Sequence, residues 1–436
     1  MTAPQIPNFF KVPELKNKIL FTLLCLVVYR VGAHIATPGV NVQALSDALQ
    51  QAGKGNLFGL YDLFAGGGLG RATVFALGIM PYISASIVFQ MAGPVFPVLE
   101  KMQRDEEGRK KITQWTRYLT VVLCLLQAYG YALFVETQVP GAVISPGMGF
   151  RMTTVLTLTT GGVFVMWLGE QITERGIGNG ASLLIFFSII ERIWPEFLGT
   201  IDAIRAGTAS VKLLVFVAAM MVLVTGATVA ITVASRKIPI QIPRKVMGRG
   251  RIREGQKTFI PLRLLTANVM PIIFAQSLII LPSTLATFVG GSFLRQVNDY
   301  FSAGSALYIV SLLVLILFFT YFYTSIVFNP VDLAENLKKQ GGFIPGVKPG
   351  AATADYIDDV LSRITLPGGF FLALAAIIPI IAANGLNLPF GFGGTALIIV
   401  VGVALDTITQ IQQHMLLRHY DGFMKEGRVK FRGRTR

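Results

Sequence analysis

The chain has 436 residues, of which 53% are hydrophobic and only 14% charged, and its formal net charge is +15. Soluble domains average about 25% charged residues, so this composition excludes an ordinary water-soluble fold and points to a membrane protein. No gap between apolar segments is long enough to hold a large soluble domain.

The N-terminal segment contains Pro4, Pro7 and Pro13 and does not read as a cleavable signal peptide. Ten apolar stretches follow, near 19–36, 72–96, 118–135, 152–169, 180–198, 211–234, 264–290, 306–328, 366–384 and 394–411. A helix crosses a bilayer with about 20 apolar residues. Of the 38 Lys and Arg, 30 lie in alternate gaps on one side and 7 fall to the opposite side (Arg192 and Lys212 within the ends of stretches there), with Arg30 inside the first stretch. Cytoplasmic loops collect cations, so both termini are expected to face the cytoplasm. The fourth stretch is rich in Thr and the fifth is interrupted by Glu191 and Arg192. Removing both leaves an eight-span arrangement with the same charge bias; removing one breaks it.

Ahead of the second stretch, Gly59–Gly70 is too short to span and too apolar for an ordinary outer loop. It reads as a short helix followed by glycines that folds back into the protein, because irregular backbone at membrane depth must be buried or line water. Met80-Pro81-Tyr82-Ile83-Ser84-Ala85 in the second stretch matches Met270-Pro271-Ile272-Ile273-Phe274-Ala275 in the seventh. These are corresponding positions of two five-span halves, and an odd number of spans would invert the second half. Each copy places a proline inside a stretch, where a kink is expected. Nine cations crowd into 235–263, whose apolar and basic residues alternate around a Gly-rich turn, as in a projecting hairpin. The gap 329–365 holds a turn-rich run, Gly341–Gly350, and a helical segment, Asp355 to Arg363. A basic tail closes the chain.

The chemistry-bearing patterns are missing. There is no P-loop, and His34, His414 and His419 have no metal-ligand spacing with a third partner. Cys25 and Cys124 read as small packing residues. No cofactor, metal or catalysis is expected, so any energy must come from a partner or a gradient. Ion-coupled carriers place ionisable groups at mid-membrane; here the interiors are nearly bare, with Arg30, Glu136 and Asp406 towards the ends of their stretches, and the second stretch offers neutral Ser84, Ser86 and Gln90. A neutral apolar constriction can still gate by excluding water, which suits a long, chemically varied substrate. A small-solute carrier and a poreless scaffold are the competing readings.

Several motifs carry a resemblance. Phe75–Ile87 (FALGIMPYISASI), Gly176-Ile-Gly-Asn-Gly180, Phe328-Asn-Pro330, Asn336-Leu-Lys-Lys339 and Gly342-Phe-Ile-Pro-Gly346 resemble the SecY family, large subunits of the bacterial protein-conducting channel. The resemblance covers essentially the whole chain. It implies an all-α polytopic protein with ten transmembrane helices in two inverted five-helix halves, forming a clamshell around an hourglass pore. The halves would be 1–205 and 206–414, with a basic tail at 415–436. It implies a pore ring of Ile83, Ile87, Ile185, Ile189, Ile273 and Ile399. The i, i+4 spacing of the first two pairs puts each pair on one helix face. A plug would hold Leu60, Tyr61, Asp62, Leu63, Phe64, Gly66, Gly67 and Gly68, and a lateral gate would hinge at Pro81 and Pro271. The loops 235–263 and 329–365 resemble a docking surface for ribosomes and the motor ATPase SecA, with Arg244, Lys245, Arg249, Arg251, Arg253 and Lys348 as contacts. The resemblance also implies SecE and SecG as small membrane subunits, and signal sequences, nascent chains and bilayer lipid as partners in a bacterial cytoplasmic membrane. Two departures stand out. Val347-Lys348-Pro349-Gly350 replaces a usual Ile-Arg-Pro-Gly, keeping the charge without the planar fork. Gln241-Ile242-Pro243 replaces a usual aromatic-small pair.

Overall fold

The computed structural model describes residues 13–51, 57–205, 207, 210–241, 246–247, 251–252, 257–265, 268–289, 305–385 and 394–426. They are mostly helical. In chain order the helices are α1 (Pro13–Gly32), α2 (Val42–Gln51), α3 (Leu57–Phe64), α4 (Met80–Val95), α5 (Pro97–Arg104), α6 (Glu106–Gln138), α7 (Met148–Arg175), α8 (Gly180–Arg205) and α9 (Val211–Val233). After the strands β1 (Ser235–Gln241), β2 (Val246–Met247), β3 (Arg251–Ile252) and β4 (Lys257–Arg263) come α10 (Met270–Val289), α11 (Ala306–Val327), α12 (Pro330–Lys339), α13 (Ala351–Gly385) and α14 (Gly394–Glu426).

Each of the ten apolar stretches contains a helix. Among the described residues, six segments are long and apolar enough to cross a membrane, or seven when the bent α4–α5 pair counts as one. The shortfall has physical causes. Glu14, Lys16, Lys18 and Arg30 dilute α1, and Glu191 with Arg192 interrupt α8. The second stretch differs most from expectation. Residues 65–79 form turns rather than helix, and α4 starts only at Met80. It then bends by 109° into α5, between Pro94 inside α4 and Pro97 at the start of α5. Helix α14 continues through Glu426, so much of the expected tail is helical; residues 427–436 lie outside the described residues.

Several threonines in the apolar helices satisfy their own hydroxyls. In the Thr-rich α7, the Thr153 and Thr157 hydroxyls donate to the carbonyls of Gly149 (2.9 Å) and Thr153 (2.7 Å). Thr120, Thr228 and Thr320 repeat this donation four residues back. Such back-bonding removes the cost of an unpaired donor in an apolar setting for these residues, whereas the buried hydroxyls of Thr154 and Thr159 in α7 have no hydrogen-bond partner.

Two cores result. The large one gathers buried residues from α1, α3, α4, α6, α7, α8, α10, α11, α13 and α14. Helix α10 is central to it and packs against α3, α4, α6, α11 and α14. The small core holds Ile238, Ile240, Leu262, Leu337, Ile344, Ile357 and Leu361. It joins the basic hairpin to the loop 329–365. Strands β1 and β4 pair antiparallel from Ser235↔Arg263 to Gln241↔Lys257, and β2 and β3 pair at Val246↔Ile252 and Met247↔Arg251, a departure from an all-α fold. The Gln241 N–H donates to the Phe343 carbonyl (2.9 Å) and the Phe343 N–H to the Gln241 carbonyl (3.0 Å). The two loops are therefore one unit.

Candidate functional site

The two Met-Pro copies have the same local backbone. Gly78 (φ 56°) and Asn268 (φ 50°) both stand two residues before the Met in the left-handed region. Glycine and asparagine are the residues that adopt it most cheaply. The Ile83 N–H then donates to the Ile79 carbonyl (3.2 Å), and the Ile273 N–H to the Val269 carbonyl (3.3 Å). Pro81 and Pro271 consequently fall in the first turn of α4 and α10. There the missing N–H would be unpaired in any helix, so proline starts the helix instead of kinking it. The mid-helix kink expected from sequence is corrected to a turn–helix junction at each site. The sharp bend lies elsewhere, at Phe96, where Pro94 and Pro97 flank it.

All six isoleucines named above are buried, with relative exposures of 0–5%. They sit on α4, α8, α10 and α14. Of these, α10 packs on α4 and α14, and α8 packs on α14. Ile83, Ile185 and Ile273 line one cavity of about 160 Å³. Its wall also includes neutral polar groups: Ser86, Gln90, Thr173, Asn179 and Ser182. Gln90 Nε2 donates to Ser86 Oγ at 2.8 Å. The cavity can solvate a polar backbone on one side and seal against an apolar wall on the other.

Helix α3 lies against α8 and α10. Tyr61, Leu63, Phe64 and Ala65 are buried, while Leu60 falls in α3 with its side chain outside the described residues. The Tyr61 hydroxyl donates to the Leu77 carbonyl at 3.0 Å. Helix α3 ends as the Gly67 N–H returns to the Asp62 carbonyl (2.8 Å), and Gly66 and Gly67 take φ of 66° and 75°. Asp62 Oδ1 accepts from the N–H groups of Leu69 (3.0 Å) and Gly70 (2.9 Å). Its Oδ2 accepts from Arg192 at 2.9 Å. Next to Arg192, Glu191 pairs with Arg30 and lies 3.6 Å from Arg71. Sequence reading treated Glu191-Arg192 only as an interruption. The charged pair in an apolar stretch, together with Arg30 in another, was the signal that they face inward and meet.

On the unit formed by the hairpin and the loop 329–365, Lys348 is exposed, and its carbonyl accepts from the Thr353 hydroxyl at 2.8 Å. Arg251 begins β3 opposite Met247, with its side chain outside the described residues. Arg244, Lys245, Arg249 and Arg253 lie outside them altogether. Cys25 and Cys124 are free and buried. Among the described residues no group of His, Cys, Asp and Glu has metal-holding geometry.

A family model described as SecY matches residues 73–408. The protein translocase subunit SecY of Aquifex aeolicus is 43% identical over 422 residues, covering 95% of this chain and 98% of the relative. That of Escherichia coli K12 is 41% identical over 428 residues, covering 97% and 96%. Among solved structures, one titled as a protein-conducting channel superposes with a TM-score of 0.68 at 17% identity, covering 98% of this chain and 100% of that one. Sec61 from a canine ribosome–channel complex gives 0.62 at 16% identity, with the same coverages; at these identities the likeness speaks for the fold. From motif to full-length identity, these matches make the chain a member of the SecY family.

Proposed function

We propose that this chain is the passive pore of a bacterial protein translocase. It conducts secretory polypeptides across the cytoplasmic membrane and releases apolar segments sideways into lipid. The observation that carries this reading is the set of six buried isoleucines on four helices packed in succession, α4 on α10, α10 on α14 and α14 on α8, beside a cavity walled in part by neutral polar groups. A chain left in hydrocarbon would strand backbone groups at several kcal/mol each. A watery path with an apolar throat removes that cost without binding ions.

In this reading ten spans form two inverted halves, 1–205 and 206–414. The matching backbone at Met80-Pro81 and Met270-Pro271 supports the pairing of α4 with α10. Ile83, Ile87, Ile185, Ile189, Ile273 and Ile399 form the throat, and residues 60–68 form the plug. The junctions at Pro81 and Pro271 are where α4 and α10 turn when the side gate parts. The chain catalyses nothing itself. SecA or a ribosome docks on the joined cytoplasmic loops through Arg244, Lys245, Arg249, Arg251, Arg253 and Lys348, and SecE and SecG complete the complex. Both termini face the cytoplasm, as the cation bias requires.

The test is a stalled secretory precursor driven by SecA and ATP, with single cysteines at Ile83 and Ile273. Adducts between precursor and both cysteines are expected. No adduct at either site removes the throat assignment, and no precursor uptake by the unmodified complex removes the function.

A further inference from the structure

The groups around α3 form a cluster that the channel reading does not require. Two consecutive residues of α8 hold the two ends of the plug segment with opposite polarity. Arg192 takes Asp62 of α3 at 2.9 Å. Glu191 takes Arg71, which follows the glycine turn, at 3.6 Å, and also pairs with Arg30 of α1. Arg71 in turn reaches His34 Nε2 at 3.3 Å. The Glu191 side chain is only 9% exposed and that of Asp62 16%. Asp62 does double duty: its other oxygen accepts two backbone N–H groups and so shapes the turn it closes. Alongside, a Cβ on Gly66 would stand 3.4 Å from Ser188 Cβ, and Ser188 is bonded to Tyr29 of α1 at 2.8 Å.

The other neighbour of α3 is different in kind. Helix α10 packs on α3 but contains no charged residue from Met270 to Val289. The plug segment is thus fastened by charge to α8, whose Glu191 also pairs with Arg30 of α1, and it touches α10 without any ion pair. Removing one partner of a largely buried pair leaves the other uncompensated, so each charge here matters to the docked position.

We propose that Asp62, Arg71, Glu191 and Arg192, with Arg30 tying Glu191 to α1, form an ionic latch that holds the plug segment to α8 and sets how tightly the idle pore is sealed. These are positioning residues; none needs to touch a substrate. The inference rests on the channel reading.

The experiment uses the full complex reconstituted in vesicles. It measures efflux of entrapped potassium from the idle complex, and SecA-driven precursor uptake in parallel. Asp62→Asn keeps the acceptor for the turn and loses the charge; Arg192→Gln loses the charge from the other side. Each is expected to raise efflux by about tenfold, which corresponds to about 1.4 kcal/mol lost from the closed state. The double variant should leak no more than the leakier single one, and Arg192→Lys should stay close to the unmodified complex. A disulfide provides the readout that a general loss of fold would not move. Cβ separations near 3.4 Å approach the range that disulfides span, so Gly66→Cys with Ser188→Cys can tie the plug down covalently. In the Arg192→Gln background, oxidation should return efflux to the unmodified level and reduction should release it again. Efflux unchanged in both single variants, additive leakage in the double, or a leak that the disulfide does not close would each overturn the latch. If the unmodified complex takes up no precursor while the variants leak and reseal as described, the channel reading falls and the latch stands.

Discussion

The membrane core and the unit of the hairpin and the loop 329–365, cytoplasmic in the proposed topology, are built from the same aliphatic residues, yet they meet their surroundings in opposite ways. In α9, Val222 and Leu223 are 73% and 66% exposed, because hydrocarbon is as good a solvent for them as protein. In the first turns of α13, Thr353, Ala354, Ile357, Val360, Leu361 and Ile364 are buried, while Asp355, Asp358 and Asp359 point outward. That is the i, i+3, i+4 stripe of a helix folding against water. The two regimes share one continuous helix. Helix α13 runs for 35 residues, about 52 Å at 1.5 Å per residue; its first part is amphipathic and the rest is apolar all round. The difference teaches where each region gets its stability. The cytoplasmic unit depends on apolar burial from water. The membrane core gains little from that and depends on close packing and paired polar groups.

The largest expected effect breaks the comparison on the cytoplasmic side. Ile357 is fully buried in the small core. Ile357→Asp places an isolated carboxylate there, at a cost of several kcal/mol. The hairpin and the loop 329–365 should separate and become rapidly cleaved by added protease, and SecA-driven uptake should fail. Idle potassium efflux should stay at the unmodified level, because the throat does not use this core. A leak equal to that expected of Asp62→Asn or Arg192→Gln would show that the two regions fold as one.

A smaller loss sharpens the membrane side. Gly161 of α7 lets that helix approach the turn before α4, and a Cβ there would stand 1.9 Å from the Val74 carbonyl oxygen. Backbone cannot swing aside as a side chain can. Gly161→Ala should cost roughly 1–3 kcal/mol through overpacking, read as a lower melting temperature of the purified complex. The cytoplasmic unit should keep its protease resistance. In a water-exposed helix the same change stabilises, so a raised melting point would refute the packing argument.

How much of this was legible depends on which force each element answers to. The apolar stretches could be read because each contains its helix, and the alternation around 236–263 gave the hairpin. The stripe at 353–364 follows from its period. Which face of a membrane helix turns inward was not legible, because Val222 and Ile185 are alike to hydropathy although one faces out and the other is buried. The latch was hidden for a related reason. Arg30, Asp62, Arg71 and Glu191 lie far apart in sequence, and a charge beside an apolar run reads first as a boundary. Pro81 and Pro271 were misjudged as kinks because the helix starts were placed too early. Gly78 and Asn268, the left-handed residues before each Met, mark the true starts.

The finest distinction concerns Lys348. Its backbone is fixed by Thr353 and its side chain is free in solvent, so it bears on docking and hardly on folding. Lys348→Gln should leave the melting temperature within experimental scatter, since surface changes away from packed features stay within about 0.5 kcal/mol. It should weaken SecA or ribosome binding by a few-fold at low salt, with the deficit shrinking as added salt screens the interaction over a Debye length of about 8–10 Å. Lys348→Arg tests the planar fork separately. If a carboxylate or phosphate faces this turn, arginine should bind more tightly than lysine, because it offers two parallel donors. Equal affinity for Lys, Arg and Gln would mean that the contact is made elsewhere on the unit. The division between a region that folds and a region that conducts would survive that result, but this turn would no longer be where the partner attaches.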